Sequence, residues 1–303
     1  MTSKSRNLTL SGFVAIVATL FTLGALPAVA DESPFGYTYT TDSLPQGKWE
    51  FEQWNTLRSG KARGTYTSLD FKSEIELGIT NDFSAALYLK SSYLHLDNVY
   101  DPENVENNLP DGSRFAINGT SLELKYRVLS PYKDPLGLSL YFEPELGVRD
   151  QQTGQDVIER AFEAKLILQK NFFDDLMINA MNIMFEPEWE IAGEEHAREL
   201  WFELMLASSY RIYPNWTVGL ELRNHREYPD MDFGKQEHSA WFLGPSVHYG
   251  VEKWWATFTV LPQLAGSPQV LGTDADGNVI SDSTRHLGQH EKLEVRLKIG
   301  INL

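Results

Sequence analysis

The sequence predicts an all-β fold, a transmembrane antiparallel up-and-down β-barrel of about 12 strands. Three observations predict it: an export signal at the start, long segments of strict period-2 alternation, and no apolar run after the signal long enough for a membrane helix. Only helices and closed barrels satisfy their backbone groups in lipid, so a chain without such helices crosses a membrane as strands.

The signal comes first. Lys4 and Arg6 precede an almost uncharged stretch from Ser11 to Leu26, then Pro27-Ala28-Val29-Ala30, then Asp31 and Glu32. A basic start, an apolar core and small residues at Ala28 and Ala30 form the three-part secretory pattern. Residues 1–30 are therefore read as a signal peptide cleaved after Ala30, and 31–303 as one outer-membrane barrel domain. The apolar core falls short of the roughly 20 residues that span a bilayer, which disfavours an anchor. With no cysteine in the chain, a disulfide framework and a lipid-modified N-terminal cysteine are both excluded. Asp and Glu number 42 against 26 Lys and Arg, a net charge of −16, so nucleic acid is not an expected partner.

The strands follow in order. Alternation places successive side chains on opposite faces, and the C-terminus shows it most clearly. There Leu293, Val295, Leu297, Ile299, Ile301 and Leu303 share one face, while His290, Lys292, Glu294, Arg296, Lys298 and Asn302 share the other. The same pattern marks twelve candidates: 47–58, 66–80, 83–96, 116–129, 138–149, 157–170, 176–190, 198–212, 216–227, 238–249, 254–265 and 288–303. Most exceed the roughly 9–11 residues that a tilted strand needs to cross a bilayer. In 176–190 the polar positions change phase between Asn179 and Asn182, and a bulge is expected there.

Connections after even-numbered strands are short and turn-like, such as Asn81-Asp82 and Tyr213-Pro214-Asn215. Those after odd-numbered strands tend to be longer and more polar, above all 97–115 and 266–287. Outer-membrane barrels have short periplasmic turns and longer outer loops, which puts both termini in the periplasm. A soluble barrel or sandwich would turn the apolar face inward. Soluble strands run about 5–6 residues, and side chains alone fill a barrel only up to about 8 strands. Aromatics near predicted strand ends suit the two membrane interfaces: Trp49, Tyr126, Phe172, Phe173, Trp189, Tyr213, Trp216, Trp241, Tyr249, Trp254 and Trp255.

The mature N-terminus carries Phe35-Gly36-Tyr37, Leu44-Pro45-Gln46-Gly47-Lys48-Trp49-Glu50, Gln53-Trp54 and Thr56-Leu57-Arg58-Ser59. Gly64-Thr65-Tyr66-Thr67 and Glu76-Leu77-Gly78-Ile79-Thr80 follow. This stretch resembles an uncharacterised family of bacterial outer-membrane β-barrel proteins, itself similar to groups classed as transporters. The resemblance implies a fold and a compartment and carries over no catalytic residue. The chain departs from the common outer-membrane pattern in ending on Leu303 rather than an aromatic.

With apolar positions outward, the polar set points into the lumen. Lys72, Glu74 and Glu76 come from the second candidate strand, and Glu123, Lys125 and Arg127 from the fourth. Glu143 and Glu145 come from the fifth, Glu163 and Lys165 from the sixth, Glu203 from the eighth, and Glu221 and Arg223 from the ninth. The last contributes Lys292, Glu294, Arg296 and Lys298. Basic residues gather on the fourth and twelfth strands and acidic ones on the first, fifth, sixth and eighth, an arrangement that would set a transverse field.

Such charges either line a hydrated path for small solutes or knit the lumen closed through cross-strand ion pairs. The first reading is a passive channel or uptake protein without cofactor. The second is a structural or binding barrel acting through its outer loops. A lipid-modifying enzyme is the third, weaker reading. Its candidates are His225, His238 beside Ser239, and His248, but none lies in a nucleophile motif, and no catalytic activity is expected. Asp274-Ala275-Asp276-Gly277-Asn278 imitates a calcium loop, yet its glycine comes too early and Arg285 occupies position 12. Its Asp-Gly pair reads as the turn of an extended hairpin, and no metal site is assigned. Expected partners are outer-membrane lipid and lipopolysaccharide, the barrel assembly machinery and a small solute.

Overall fold

In the computed structural model, which describes residues 33–99, 108–273, 279–282 and 284–303, twelve strands close into one antiparallel barrel. The predicted signal peptide and the Asp274–Asn278 segment lie outside the described residues, as does most of the acidic stretch of the 97–115 loop. In chain order the barrel strands begin with β1 (Trp49–Ser59), β2 (Thr65–Gly78), β3 (Phe83–Asp97), β4 (Gly112–Leu129) and β5 (Gly137–Arg149). They continue with β6 (Asp156–Phe172), β7 (Met177–Ala192), β8 (Glu195–Tyr213), β9 (Trp216–Pro229), β10 (His238–Val251) and β11 (Trp254–Gly266). A separate hairpin of β12 (Gln269–Thr273) and β13 (Val279–Asp282) precedes the closing strand β14 (Leu293–Asn302). Each barrel strand pairs with its sequence neighbours, and β14 closes the ring between β11 and β1, with Glu50 opposite Asn302.

The pleat is inside-out relative to a soluble domain. Leu87, Ile117, Leu146, Val148 and Ile158 are all more than half exposed, whereas Glu50, Glu74, Glu123, Glu143 and Glu221 are at most 3% exposed. Each charged residue alternates with an apolar one along its strand, so strand formation itself sends the two sets to opposite sides. Short turns join the strands at the end where β1 begins and β14 finishes: 79–82, 130–136, 173–176, 214–215 and 252–253. This is called the turn end. At the opposite, loop end, segments 98–111, 230–237 and 267–292 are longer, while 193–194 is a tight turn around Gly193 at φ +64°. Outward aromatics ring the turn end, where Trp216 packs on Tyr249 at 4.9 Å and Tyr249 on Trp254 at 5.3 Å. Trp255 is not among them; it points inward, fully buried, and its Nε1–H donates to Glu50 Oε2 at 3.0 Å.

Two expectations need correction. β7 shows no bulge, since its register with β8 runs unbroken from Met177–Tyr210 to Ala192–Glu195. Asn182 points inward and Asn179 falls on the opposite face near the turn, so the change of polar phase is two functions on one regular strand. The bulges occur elsewhere, among them the step between Lys90 and Ser91, where β4 carries an extra residue. The last strand begins at Leu293 rather than 288, because 287–292 leaves the wall and crosses toward the start of the first loop. Ala62 N–H donates to Leu287 O at 2.9 Å and Lys292 N–H to Gly60 O at 2.8 Å. The hairpin expected around Asp276-Gly277 is present as the pair β12–β13 flanking the undescribed tip.

Candidate functional site: the charged lumen and its plug

A barrel of twelve strands is wider than side chains alone can fill, and here the chain's own N-terminal segment occupies part of the space. Residues from Ser33 to Leu44 run through the lumen near the turn end before the chain enters β1, and Phe35, Tyr37, Thr38, Thr40, Thr41 and Leu44 are all buried. The wall meets this segment with side chains rather than with a strand edge. One carboxylate, Glu221 on β9, accepts three consecutive backbone N–H groups: Gly36 at 2.7 Å, Tyr37 at 2.9 Å and Thr38 at 2.9 Å. Asn182 on β7 makes a reciprocal pair with Tyr39, accepting its N–H at 2.6 Å and donating to its carbonyl at 2.9 Å. Gln169 on β6 accepts both the N–H and the hydroxyl of Thr41, at 2.7 and 2.9 Å. Gly36 has to be glycine, because an added Cβ would sit 2.6 Å from Thr259 Oγ1 and 2.8 Å from Thr259 Cβ.

Tyr37 and Tyr39 then form the floor of a cavity of about 330 Å³ that extends toward the loop end. Both signs of charge line it on both sides. Glu145, Glu159, Glu163, Glu186 and Glu188 stand with Lys90, Arg149 and Lys165 on β3, β5, β6 and β7, and Arg58, Arg223 and Arg296 stand with Asp70, Glu203 and Glu294 on β1, β2, β8, β9 and β14.

Within the walls most charges are paired. Arg223 on β9 bridges Glu203 on β8, with Nε to Oε1 at 3.0 Å, and Glu294 on β14, with Nη1 to Oε2 at 2.8 Å. Glu143 is held by Lys72 at 3.2 Å and Lys90 at 3.7 Å, and also accepts from Ser121 and Tyr141 hydroxyls. Lys90 pairs with Glu145 and Lys165 with Glu163. Arg296 donates to Thr56 Oγ1 at 2.8 Å and to Gly36 O at 3.1 Å, and lies 3.8 Å from the Tyr37 ring. Below the floor, Glu74, Glu76, Glu123, Lys125 and Lys298 surround a smaller cavity of about 30 Å³ with Glu52, which Lys298 approaches at 3.3 Å. Pairing of this kind is what lets charges stand inside a protein at all.

Of the residues singled out by sequence, two stand apart from this lumen. Arg127 lies at the turn end, where its Nη2 donates to Asp82 Oδ1 at 2.9 Å and to Asn81 O at 2.6 Å. Lys292 is exposed in the segment before β14. Sequence reasoning missed the plug and its anchors Asn182 and Gln169. The available cue was Phe35-Gly36-Tyr37, a stretch of resemblance that no candidate strand claimed. The three histidine candidates also have positions: His225 Nδ1 lies 2.6 Å from Glu203, His238 Nε2 lies 2.6 Å from Glu227, and His248 Nδ1 lies 2.8 Å from Thr257 Oγ1. Ser239 is the neighbour of His238 on the strand and faces the other side.

Comparison with known proteins agrees with this architecture. A family model described as a family of unknown function, DUF6662, matches residues 27–303. No curated protein matches the sequence. Among solved structures, the COG4313 outer membrane channel from Pseudomonas putida F1 is similar at a TM-score of 0.53 and 12% identity, over 87% of this chain and 98% of that one. The NanC porin is similar at a TM-score of 0.48 and 11% identity, over 84% of this chain and all of the other. At these identities the likeness is one of fold, and the fold is that of an outer-membrane barrel.

Proposed function

Since this chain belongs to DUF6662, a family of unknown function, its role has to be read from the barrel, and we propose that it is a passive outer-membrane channel for small polar solutes. The observation that carries the reading is the cavity of about 330 Å³ lined by charged residues of both signs and closed below by a segment that is hydrogen-bonded in place but not woven into the sheet. Charged walls of mixed sign offer partners to the polar ends of a small solute. The COG4313 neighbour, named as an outer membrane channel, supports the same reading.

In this reading the chain is exported with cleavage after Ala30, and the turn end faces the periplasm. The apolar belt meets outer-membrane lipid and lipopolysaccharide after insertion by the barrel assembly machinery. The solute path runs past Lys72, Glu145, Glu163, Lys165, Glu203, Arg223, Glu294 and Arg296, and no cofactor takes part. The test is single-channel recording of the refolded mature chain in a planar bilayer. Discrete conductance levels, raised by removing residues 33–44, support the channel. Silence of both forms after correct insertion overturns it in favour of the second reading, a closed binding barrel, which the filled turn-end lumen favours.

A further inference from the structure

Beneath the plug, near the turn end, the sheet register brings acids face to face. Glu50 is the second residue of β1 and Glu76 the third from last of β2, and they stand directly opposite each other, as do Glu52 and Glu74 two residues further in. All four are at most 6% exposed, and buried Glu123 joins them from β4. Like charges placed opposite one another on neighbouring strands destabilise a sheet, and here two such pairs follow in succession. Among the described residues, the cations lining the same small cavity are Lys125 and Lys298, so five carboxyl groups meet two ammonium groups.

Three of these residues also meet the geometry of an ion site. One carboxylate oxygen from each of Glu50, Glu52 and Glu76 lies within 4.8 Å of the other two. Calcium–oxygen bonds of about 2.3–2.6 Å place ligands on opposite sides of one ion about 4.6–5.2 Å apart, and neighbouring ligands closer, so a single ion can reach all three. A second observation points the same way. Glu74 Oε2 and Glu76 Oε1 are buried without a hydrogen-bond partner among the described residues, on residues 3% and 4% exposed. Glu74 stands outside the trio and lines the cavity of about 30 Å³ together with Glu52 and Glu76. A buried carboxylate oxygen with no donor is costly and calls for a counter-charge. The cavity exceeds the roughly 10–15 Å³ that one water needs, so an ion and a water fit in it.

We propose that Glu50, Glu52 and Glu76 bind one hard divalent cation of the calcium type, with Glu74 on the same cavity as a further oxygen donor. The donor set is all carboxylate, which suits such a cation and offers no imidazole or thiolate to a transition metal. Calcium is favoured because its flexible coordination and long bonds tolerate ligands spread over up to 4.8 Å. Another group of carboxylates with this spacing, Glu159, Glu188 and Glu190, is only half-buried and holds no buried oxygen without a partner, so it is not assigned. Ser33, Tyr39 and Thr40 of the plug line the same cavity, and β1 pairs with β14 where the ring closes. A bound ion would therefore brace both the seam of the barrel and the underside of the plug. The site does not depend on whether the lumen conducts.

The test is calorimetric titration of Ca²⁺ into the tag-free mature chain, refolded without lipopolysaccharide and stripped of metal beforehand. One equivalent should bind. E76Q should weaken binding by at least about 10-fold, because the charge count of the ligands sets calcium affinity, and E50Q gives the same reading from the other strand. E190Q, in the unassigned group, should leave the affinity unchanged. Ca²⁺ should also raise the urea-unfolding midpoint of the wild type and not that of E76Q. Heat-modifiable gel migration verifies the fold of each variant. Absence of binding by the folded wild-type chain up to about 10 mM Ca²⁺, equal affinity in wild type, E76Q and E50Q, or a loss confined to E190Q overturns the site.

Discussion

Replacing Glu221 by glutamine tests the plug most directly, because a single carboxylate holds three successive backbone N–H groups and the Thr259 hydroxyl. Oε2 accepts from Tyr37 and Thr38, and Oε1 from Gly36 and Thr259. A glutamine keeps one oxygen and presents an NH₂ group at the other position. In either orientation at least one plug N–H, and at most two, then faces a donor. Hydrogen bonds to a charged group contribute about 1.5–3 kcal/mol each, so E221Q should weaken plug docking by about 1.5–6 kcal/mol. By the rule of tenfold per 1.4 kcal/mol, the ratio of docked to undocked plug should fall by about 10- to 10⁴-fold. The assay is open probability in planar bilayers, with hydrogen exchange at residues 35–41 as a second readout. Adding N182A and Q169A, which remove the anchors on Tyr39 and Thr41, should raise both signals further. An E221Q barrel that inserts normally yet keeps wild-type exchange across 35–41 would refute the anchoring role, whatever its conductance.

Three other perturbations and one change of pH probe the remaining structure. R223M leaves Glu203 and Glu294 buried without their shared cation and should destabilise the barrel by about 3–5 kcal/mol, most of it recovered in R223M/E203Q/E294Q; an urea-unfolding loss below about 1 kcal/mol would contradict the bridging geometry. L122R puts a charge on the outward face of β4 four residues from the Tyr126 aromatic and should cost about 2–4 kcal/mol in a bilayer, against about 0–1 for I301R at the turn end; equal costs would mean that the belt is not in lipid. E186Q/E188Q removes two carboxyl groups from the cavity lining and should make the barrel less favourable to cations than the wild type in reversal-potential measurements, and an unshifted potential would remove these residues from the ion path. Burial, with neighbouring His225, His238 and Lys61, holds the His290 imidazole well below its ordinary value of 6.5, and burial also lowers His286. The undocked segment therefore binds more protons than the docked one below pH 6.5, so docking of 284–292 is complete above that pH and weakens as pH falls. Amide exchange in 286–292 should speed up, beyond its intrinsic pH dependence, between about pH 7.5 and 5, and H290Q should flatten the effect; constant protection would reverse the sign of the argument.

Strand positions were legible because they depend on a local rule. The starts of β3, β9, β10 and β11 at Phe83, Trp216, His238 and Trp254 coincide with the sequence reading, since period-2 alternation and an adjoining turn specify each one independently. The start of β14 was misplaced for an instructive reason. His290 and Lys292 continue the polar face in sequence, yet it is Glu291, on the opposite phase, that is buried, pairing with Lys61 at 2.9 Å, while Lys292 is exposed. Alternation in sequence records a possible strand face, not whether the backbone lies in the wall. Pairing partners were not legible, because the Glu203–Arg223–Glu294 bridge joins β8, β9 and β14 and exists only once the register is set. The cavity lining likewise needs a closed ring, since it draws residues from β7 and from β1, which stand opposite each other.

The plug shows why composition alone left open and closed lumens equally plausible. Residues 33–44 have no strand pattern, and their partners at 169, 182 and 221 are more than a hundred positions away. Glu221 reads in sequence as one more ionisable group facing a pore. Inside a barrel too wide to be filled by its own side chains, an acid there needs donors, and a segment with free N–H groups needs acceptors. Each satisfies the other, so the charge that suggests a hydrated path is also the group that holds its obstruction. A docking made of polar contacts can be undone by water in a way that an apolar core cannot, because water competes for every one of those bonds. The closed state is therefore compatible with the proposed channel, in which the strength of the Glu221 anchor would set how often it opens.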